Sequence, residues 1–330
     1  MKVTVLIVNY NNWQDTIECL ESVLKSKYSP IDIVVVDNSP SFDSIKNLES
    51  WAEGNVKVER TNFSSLVFPE NNKPLKYLSI SDTEYWQKSQ NDDYDVIFVK
   101  AGKNEGFAAA NNVVLKTKLD RSGQEELLFL LNNDTVIPPD LITKLASKYV
   151  EHDYGVVGCV LLEYSKPDIV QSVGGLYNKY FGITTQALEG IKINELGLEK
   201  AHIDYPVGAA MFLSIKVLKQ IGLLEEKYFL YYEELDWVQR GKVTYSTTYF
   251  EDCFVYHKGG VSIGSNHKSF IADKYSLINR INFAKKYNRT YLTTTYLGVF
   301  FSIFKRFLFL KFKRGASLFY EVLKINPNKF

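Results

Sequence analysis

The sequence predicts an α/β protein built on a mostly parallel sheet with flanking helices, followed by a helical, basic carboxyl-terminal region. Three observations carry this prediction. Short, β-branched apolar runs recur without polar alternation, as in strands covered on both faces. Segments with helical apolar spacing separate them, a βαβα order that favours parallel pairing. The last 65 residues then change character: 13 Lys and Arg face only Asp273 and Glu321, net +11, leaving −10 on the other 265 residues. The expected division is therefore a sheet-bearing domain over 1–265 and a basic helical region over 266–330.

VTVLIVN (3–9) is the first expected strand. Asn12 stands where a helix cap belongs, ahead of Ile17, Leu20 and Leu24 at helical spacing. IDIVVVD (31–37) is the second strand, followed by a helix carrying Ile45 and Leu48. VKVE (56–59) reads as a third strand and DVIFVKA (95–101) as a fourth. FAAANNVVLKTKL (107–119) is helical, and ELLFLLN (126–132) is a further strand. Between Thr61 and Asp95 the rhythm fails. That stretch is polar, holds two prolines and has no sustained period, so it reads as an excursion from the sheet.

At 330 residues, with 45% hydrophobic and 23% charged residues, the composition is that of an ordinary globular protein. Cys19, Cys159 and Cys253 lack the spacing of a zinc site or a disulfide framework, which suits a reducing cytoplasm. The opening MKVTVLIVNYNN has too short an apolar run for a signal peptide and reads as a strand. No run of about 20 uncharged apolar residues is long enough to cross a bilayer.

Ligands of open parallel sheets bind outside the carboxyl ends of the strands. Asp37, Asn104 and Asp134 all fall at or just after such ends. Each alone is as readily a turn residue or helix cap, but three together mark a site. Asp134, ending a buried strand in LLNNDTVIPPD, caps a helix or holds a metal ion. In YYEELDWVQR (231–240), Glu233 and Glu234 fall in a helix's first turn, where the dipole stabilises a carboxylate. Asp236 and Arg240 have the i,i+4 spacing of an ion pair. His257 ends the apolar run DCFVYH, a position where a lone histidine is more often structural than a ligand.

VTVLIVNYNN, VVVDNS, NEGFAAANN, LLNNDTVIPPD, GAAMFLSIKVLKQIGLLEEKYFLYYEELDWVQR and VYHKGGVS stand in the order seen in family 2 glycosyltransferases. Over residues 1–265 the chain resembles their rhamnosyltransferase-like branch, which has a GT-A fold. INRINFAKKY resembles that branch's first carboxyl-terminal helix. The resemblance implies an inverting transfer from a UDP- or dTDP-sugar to a glycan or lipid-linked glycan acceptor in cell-surface polysaccharide synthesis. It also implies a divalent cation, Mn2+ or Mg2+, that neutralises the departing diphosphate.

In that scheme Asn132-Asn133-Asp134 stands for a DxD-like motif whose first acid is an amide. Asp134 and His257 hold the cation, and Gly259-Gly260 let the backbone approach phosphate oxygens. Glu234 is the general base that takes the acceptor's proton, with Glu233 and Asp236 in support. Asp is usual where Glu234 stands; the extra methylene moves the carboxylate by more than ~1 Å, which leaves Glu233 or Asp236 open for the role. Tyr10, Asp37, Asn104, Asn112 and Asn133 line the nucleotide pocket, with Asp37 accepting from a pyrimidine N3–H.

A nicotinamide dehydrogenase would need G-x-G-x-x-G after the first strand, yet no glycine precedes Gly54. A nucleotidylyltransferase would need a glycine-rich basic loop there, which is also missing. The remaining alternative is a non-catalytic nucleotide-sugar or glycan-binding relative, kept open by Asn132 and Glu234. YLGVFFSIFKRFLFLKFKR (296–314) is the last distinctive stretch. On a helical wheel Leu297, Phe300, Phe301, Phe304, Phe307 and Leu308 share one side, and Lys305 and Arg306 lie opposite. That pattern predicts a helix lying on the anionic inner face of a membrane, making the protein peripheral and cytoplasmic. Packing on the catalytic domain, or on a second copy in a homodimer, is the other reading. No nucleic-acid-binding motif accompanies the charge.

Overall fold

The unbroken apolar runs become strands at the centre of one sheet. The computed structural model describes residues 1–87, 93–121, 125–197, 201–259 and 270–325. In chain order it begins with β1 (Lys2–Asn9), α1 (Trp13–Leu24), β2 (Ile31–Asp37), α2 (Asp43–Glu53) and α3 (Ser64–Val67). β3 (Tyr77–Ser81), α4 (Asp82–Gln87), β4 (Val96–Lys100), α5 (Phe107–Arg121) and β5 (Glu126–Asn132) come after them. Next are β6 (Thr135–Val136), α6 (Leu141–Tyr149), β7 (Tyr154–Glu163), β8 (Lys166–Ser172) and the hairpin of β9 (Gly175–Asn178) and β10 (Ile183–Gln186). β11 (Ala210–Ser214), α7 (Ile215–Ile221), α8 (Glu233–Gly241) and β12 (Ser246–His257) complete the sheet. The chain then turns helical, as expected, with α9 (Phe270–Tyr287), α10 (Leu292–Leu308) and α11 (Phe312–Leu323).

The sheet runs β3-β4-β2-β1-β5-β11-β7-β12-β6, with β8 added to β7. From β3 to β5 every pairing is parallel. β11 lies antiparallel between β5 and β7, and β12 returns parallel to β7. Alternate residues of a strand face opposite sides, and here both sides are covered. Val3, Val5 and Ile7 of β1 pack with Leu20, Trp51 and Leu145 on one side. Leu6, with Val34 and Val36 of β2, packs with Val114, Leu218 and Trp237 on the other. Double coverage is why these strands read as continuous apolar runs.

Three local expectations are corrected. Residues 56–59 form no strand, because the Val58 amide donates to the Glu70 carboxylate (2.6 Å) and not to a neighbouring chain. The third strand lies instead within the supposed excursion: β3 joins the sheet's edge, parallel to β4. With one neighbour and every residue half-buried, it carries too weak a pattern to be read. Asn12 does occupy the cap position of α1, but its side chain makes no cap bond and turns to Asp15.

The expected division at 265/266 lies outside the described residues, and α9 is part of the domain core. Phe283 is buried against Tyr177, Tyr232 and Tyr287, with ring centroids 4.9, 5.8 and 4.8 Å away. α10 and α11 pack back on α9 through Leu277, Ile281, Val299, Ile303, Leu318 and Val322. Arg306 and Arg314 both pair with the buried Asp273 of α9. Phe283→Ala should therefore lower unfolding free energy by about 3–5 kcal/mol, as at a central core position. Chemical denaturation measures this, and an unchanged midpoint would mean that α9 is a separable appendage.

Candidate functional site

Strand order reverses at β1, where β2 leads one way and β5 the other. The crevice outside such a switch point is where open α/β sheets bind ligands. Asn9 closes β1 there. Its amide donates to Asp37 Oδ1 (2.8 Å) and Ser44 Oγ (2.6 Å). Its oxygen accepts from Thr16 Oγ1 (2.8 Å) and Asn133 Nδ2 (3.3 Å). Asn133 also donates to Thr16 Oγ1 (3.0 Å) and the Asn12 carbonyl (3.2 Å). Asn133 is thus a buried brace between β5 and α1.

On the β2 side the loops are laced together. Ser39 Oγ accepts from the Asn11 amide (2.8 Å), and Asn38 donates to Asn104 Oδ1 (2.8 Å). Tyr10 and Asn104 are exposed at this rim. Asp37 differs from expectation. It is 0% exposed, and its oxygens are occupied by Asn9, Ser39 and the Lys100 ammonium (3.1 Å). A nucleobase cannot reach it in this conformation, so Asp37 holds the pocket wall and does not line it. Asn112 is also displaced from the pocket: its amide bonds Glu226 and both backbone groups of Leu224. A cavity of about 440 Å³ adjoins Asn38, lined by Ala101, Gly102, Lys103 and Trp86. The larger hollow, about 800 Å³, lies at the opposite pole beside Met1 and Glu126.

Asp134 and His257 lie against each other. Short pairing of β6 with β12 sets His257 opposite Thr135, and His257 Nε2 lies 3.2 Å from Asp134 Oδ1. Burial works to raise the Asp134 carboxyl, but attraction to His257 and Lys258 outweighs it and holds the group below its usual range. Gln171 of β8, which no motif indicated, orders the imidazole: its oxygen lies 2.5 Å from Nδ1. The Gln171 amide nitrogen donates to the His257 carbonyl (3.4 Å), so the oxygen must be the atom facing the ring. Nδ1 then carries the proton, which directs Nε2 at Asp134. Gly259 stands two residues on at φ +67, and a Cβ there would lie 2.7 Å from the Gln171 amide. Gly260 lies outside the described residues.

Among the described residues no three His, Cys, Asp or Glu side chains converge as a metal cage. One carboxylate and one oriented imidazole suit Mn2+ or Mg2+ only when phosphate oxygens complete the shell. The donor set therefore fits a cation that arrives with a diphosphate.

The acid pair enters from the other side. Tyr231 and Tyr232 both adopt left-handed backbone, φ +69 and +75, before α8 begins at Glu233. Side chains other than glycine hold this conformation at a cost of about 1–2 kcal/mol each. Burial and the neighbouring Glu234 charge push Glu233 well above the usual carboxylate range, and burial pushes Glu234 up to about 7. Each has one oxygen without a partner among the described residues. Glu234, less buried and easier to ionise, is the better base of the two. Asp236 is excluded from that role, being fully buried against Arg240 (3.0 Å), Lys286 (2.6 Å) and Tyr287 (3.0 Å).

Two contacts join the acid pair to the crevice. Phe107 at the start of α5 donates to the Phe229 carbonyl (3.0 Å), and Gly106 at φ +97 permits it, since a Cβ would stand 2.2 Å from that oxygen. A Cβ on Gly208 would lie 3.9 Å from Glu234 Oε1, and the next residue, Ala209, accepts from the Asn132 amide (2.9 Å). Glu234 thus stands beside the loop that abuts the end of β5.

Residues 4–67 match the family described as glycosyl transferase family 2. The low-salt glycan biosynthesis hexosyltransferase Agl10 of Haloferax volcanii is 26% identical over 211 residues, which span 63% of this chain and 61% of that relative. Two solved structures share the fold. The mannosyltransferase PcManGT from Pyrobaculum calidifontis, in complex with GDP-Man and Mn2+, superposes with TM-score 0.52 and 13% identity over 96% of this chain and 79% of its own. GalNAc-T7 with UDP, GalNAc and Mn2+ gives 0.53 and 12% over 84% and 47%. The mostly parallel sheet with flanking helices is thus the GT-A-type architecture expected from the motifs.

Both glutamates are harder to ionise folded than unfolded, so the folded state retains more protons between the ordinary glutamate range and about pH 7. Their contribution to stability falls as pH rises through that window. Glu234→Gln should remove part of this slope, so its melting temperature gains on the parent's between about pH 5 and about pH 8. Thermal melts across that range check it; a constant difference would mean that Glu234 ionises normally.

Proposed function

We propose that the chain is an inverting family 2 glycosyltransferase of the rhamnosyltransferase-like branch. It moves a sugar from a UDP- or dTDP-sugar to a glycan or lipid-linked glycan acceptor in cell-surface polysaccharide synthesis. One observation carries the reading: the Asp134–His257 pair follows the end of β5, and the Gly208–Ala209 loop beside the half-buried Glu234 abuts that same strand end. The structural neighbours hold GDP-Man or UDP together with Mn2+, which supports a nucleotide-sugar donor and a divalent cation.

Chemically, the acceptor oxygen attacks the anomeric carbon as Glu234 takes its proton, and the bond to the diphosphate breaks with its electrons leaving on phosphate. Configuration inverts because attack and departure are on opposite faces. A raised carboxyl suits this task, being ionised in part near neutrality yet basic enough to accept the proton. Asp134 and His257 would hold Mn2+ or Mg2+, whose charge offsets that of the departing diphosphate. Tyr10 and the 38–41 loop face the nucleotide, with Asp37, Lys100 and Asn133 fixing the walls.

The test is a thermal-shift panel of UDP-, dTDP- and GDP-sugars with manganese, followed by turnover assays. The right donor should raise the melting temperature only with metal. Asp134→Asn should abolish that metal-dependent shift without unfolding the protein. Glu234→Gln should keep the shift and lose roughly 10²–10⁴ in turnover. An Asp134→Asn protein with undiminished metal dependence would sink the assignment.

We further propose that α10 and α11 seat the enzyme on the anionic cytoplasmic face of a membrane. α10 buries Thr295, Val299 and Ile303 on α9, leaving Leu297, Phe301, Phe304 and Leu308 between 54% and 62% exposed. Phe309, Leu310 and Phe312 continue this apolar surface, with exposed Lys305, Lys311 and Lys313 beside it. Two details depart from the helical wheel: Phe307 turns inward onto Gly315, and Arg306 pairs with Asp273. Among the described residues no helix is long and apolar enough to cross a membrane. Replacing Phe301 and Leu308 by Ser should weaken sedimentation with anionic liposomes by about 10²-fold at ~0.1 M salt. A parent protein that ignores such liposomes would leave this face to a second copy of the chain.

A further inference from the structure

We propose that Asn279 is a positioning residue for the base: its amide clamps the left-handed turn that aims Glu233 and Glu234 into the crevice. The inference rests on the transferase reading and adds a residue that no site motif contains. Asn279 lies in α9, almost fully buried, and its Nδ2 donates to the carbonyls of Leu230 (2.9 Å) and Tyr231 (3.1 Å). With the Phe229 carbonyl held by the Phe107 amide, three consecutive carbonyls ahead of α8 are gripped from outside the turn.

The grip matters because the turn it holds is under backbone strain. Tyr231 and Tyr232 are non-glycine residues at positive φ, a state that persists only when the surroundings over-determine it. Rotation of the peptide planes at 230–232 would return both to ordinary backbone and swing the first turn of α8, and with it Glu234, away from Gly208. Asn279 blocks that rotation by holding the carbonyls on either side of it. Tyr232 adds a second tie, its hydroxyl donating to the Gly182 carbonyl (2.6 Å).

Asn279 Oδ1 has no partner among the described residues. A buried acceptor left bare offsets much of what two hydrogen bonds contribute. What the amide supplies beyond satisfying the carbonyls of Leu230 and Tyr231 is their direction, since one planar group holds both. Asp236 supports the same arrangement one turn later, through Lys286 and Tyr287 of α9.

The experiment compares the full-length parent with Asn279→Leu, Asn279→Ser and Asn279→Gln. It tracks the melting temperature, donor KM, kcat, and the titration of Glu234 by carbon-13 NMR of glutamate-labelled protein, assigned with Glu234→Gln. Asn279→Leu and Asn279→Ser should stay folded with donor KM unchanged and kcat reduced about 10–100-fold. Their Glu234 titration should fall from about 7 toward the ordinary glutamate range as the turn opens to water. Asn279→Gln, which keeps the amide, should recover part of both. Unaltered kcat and Glu234 titration in a folded variant would overturn the proposal. So would failure of both Leu and Ser variants to fold, since Asn279 would then be a structural support. A parent that transfers no sugar defeats the transferase reading instead, while the Glu234 titration still decides the role of Asn279.

Discussion

The site depends on a single buried carboxamide. Asn9 ends β1 where the sheet changes direction, and a polar side chain there has no water to turn to. Its four partners, Asp37, Ser44, Thr16 and Asn133, come from β2, α2, α1 and the turn after β5. An unpaired buried amide is costly, so each of those elements must end at a fixed position relative to the others. Asp134 then leaves β5 in one direction only, and β6 can carry it to His257. The Asp134–His257 geometry is thus a downstream result of satisfying one amide at a strand end.

That dependence explains why parts of the fold are legible in the sequence. β1, β2, β4 and β5 end close to where their apolar runs end, because a strand covered on both faces tolerates no polar residue until it emerges. Asp134, His257 and Glu234 stand at the end of a strand or the start of a helix, but position alone leaves each as readily a cap or a structural residue, and only the resemblance to family 2 glycosyltransferases singles them out. Their partners are hidden. Gln171 reaches His257 across 86 residues, and a bond of that separation leaves no local pattern. Lys100 reads as the polar end of a strand, and nothing in that position reveals that its ammonium seals Asp37 from the pocket. The mixed half of the sheet is harder still. β12 reads STTYFEDCFVYH, and its register shifts between Phe250 and Phe254, so neither an alternating nor a continuous apolar pattern survives.

The acid pair illustrates a conflict between stability and chemistry. Two adjacent carboxyls placed in apolar surroundings on a turn with two left-handed residues disfavour folding at every level. The rest of the domain compensates through contacts distant in sequence: α5 holds Phe229, α9 holds Leu230 and Tyr231, and the β9–β10 hairpin holds Tyr232. None of these elements contributes a reacting group. Their common effect is a carboxylate that ionises near neutrality without solvent having free access to it.

The pairing of β6 with β12 has a consequence for how the molecule is made. Thr135 and His257 are partners in the sheet but are separated by more than a hundred residues of chain. During synthesis the parallel block from β1 to β5 emerges first and can pack against its helices, while β6 has no strand to join. Long-range pairings of this kind form late, because the loop they close must be ordered first. The Asp134–His257 end of the crevice is therefore assembled last, after β7 and β11 have been laid down. A nascent or interrupted chain can possess the loops around Asn38 and Asn104 and still lack the imidazole that faces Asp134.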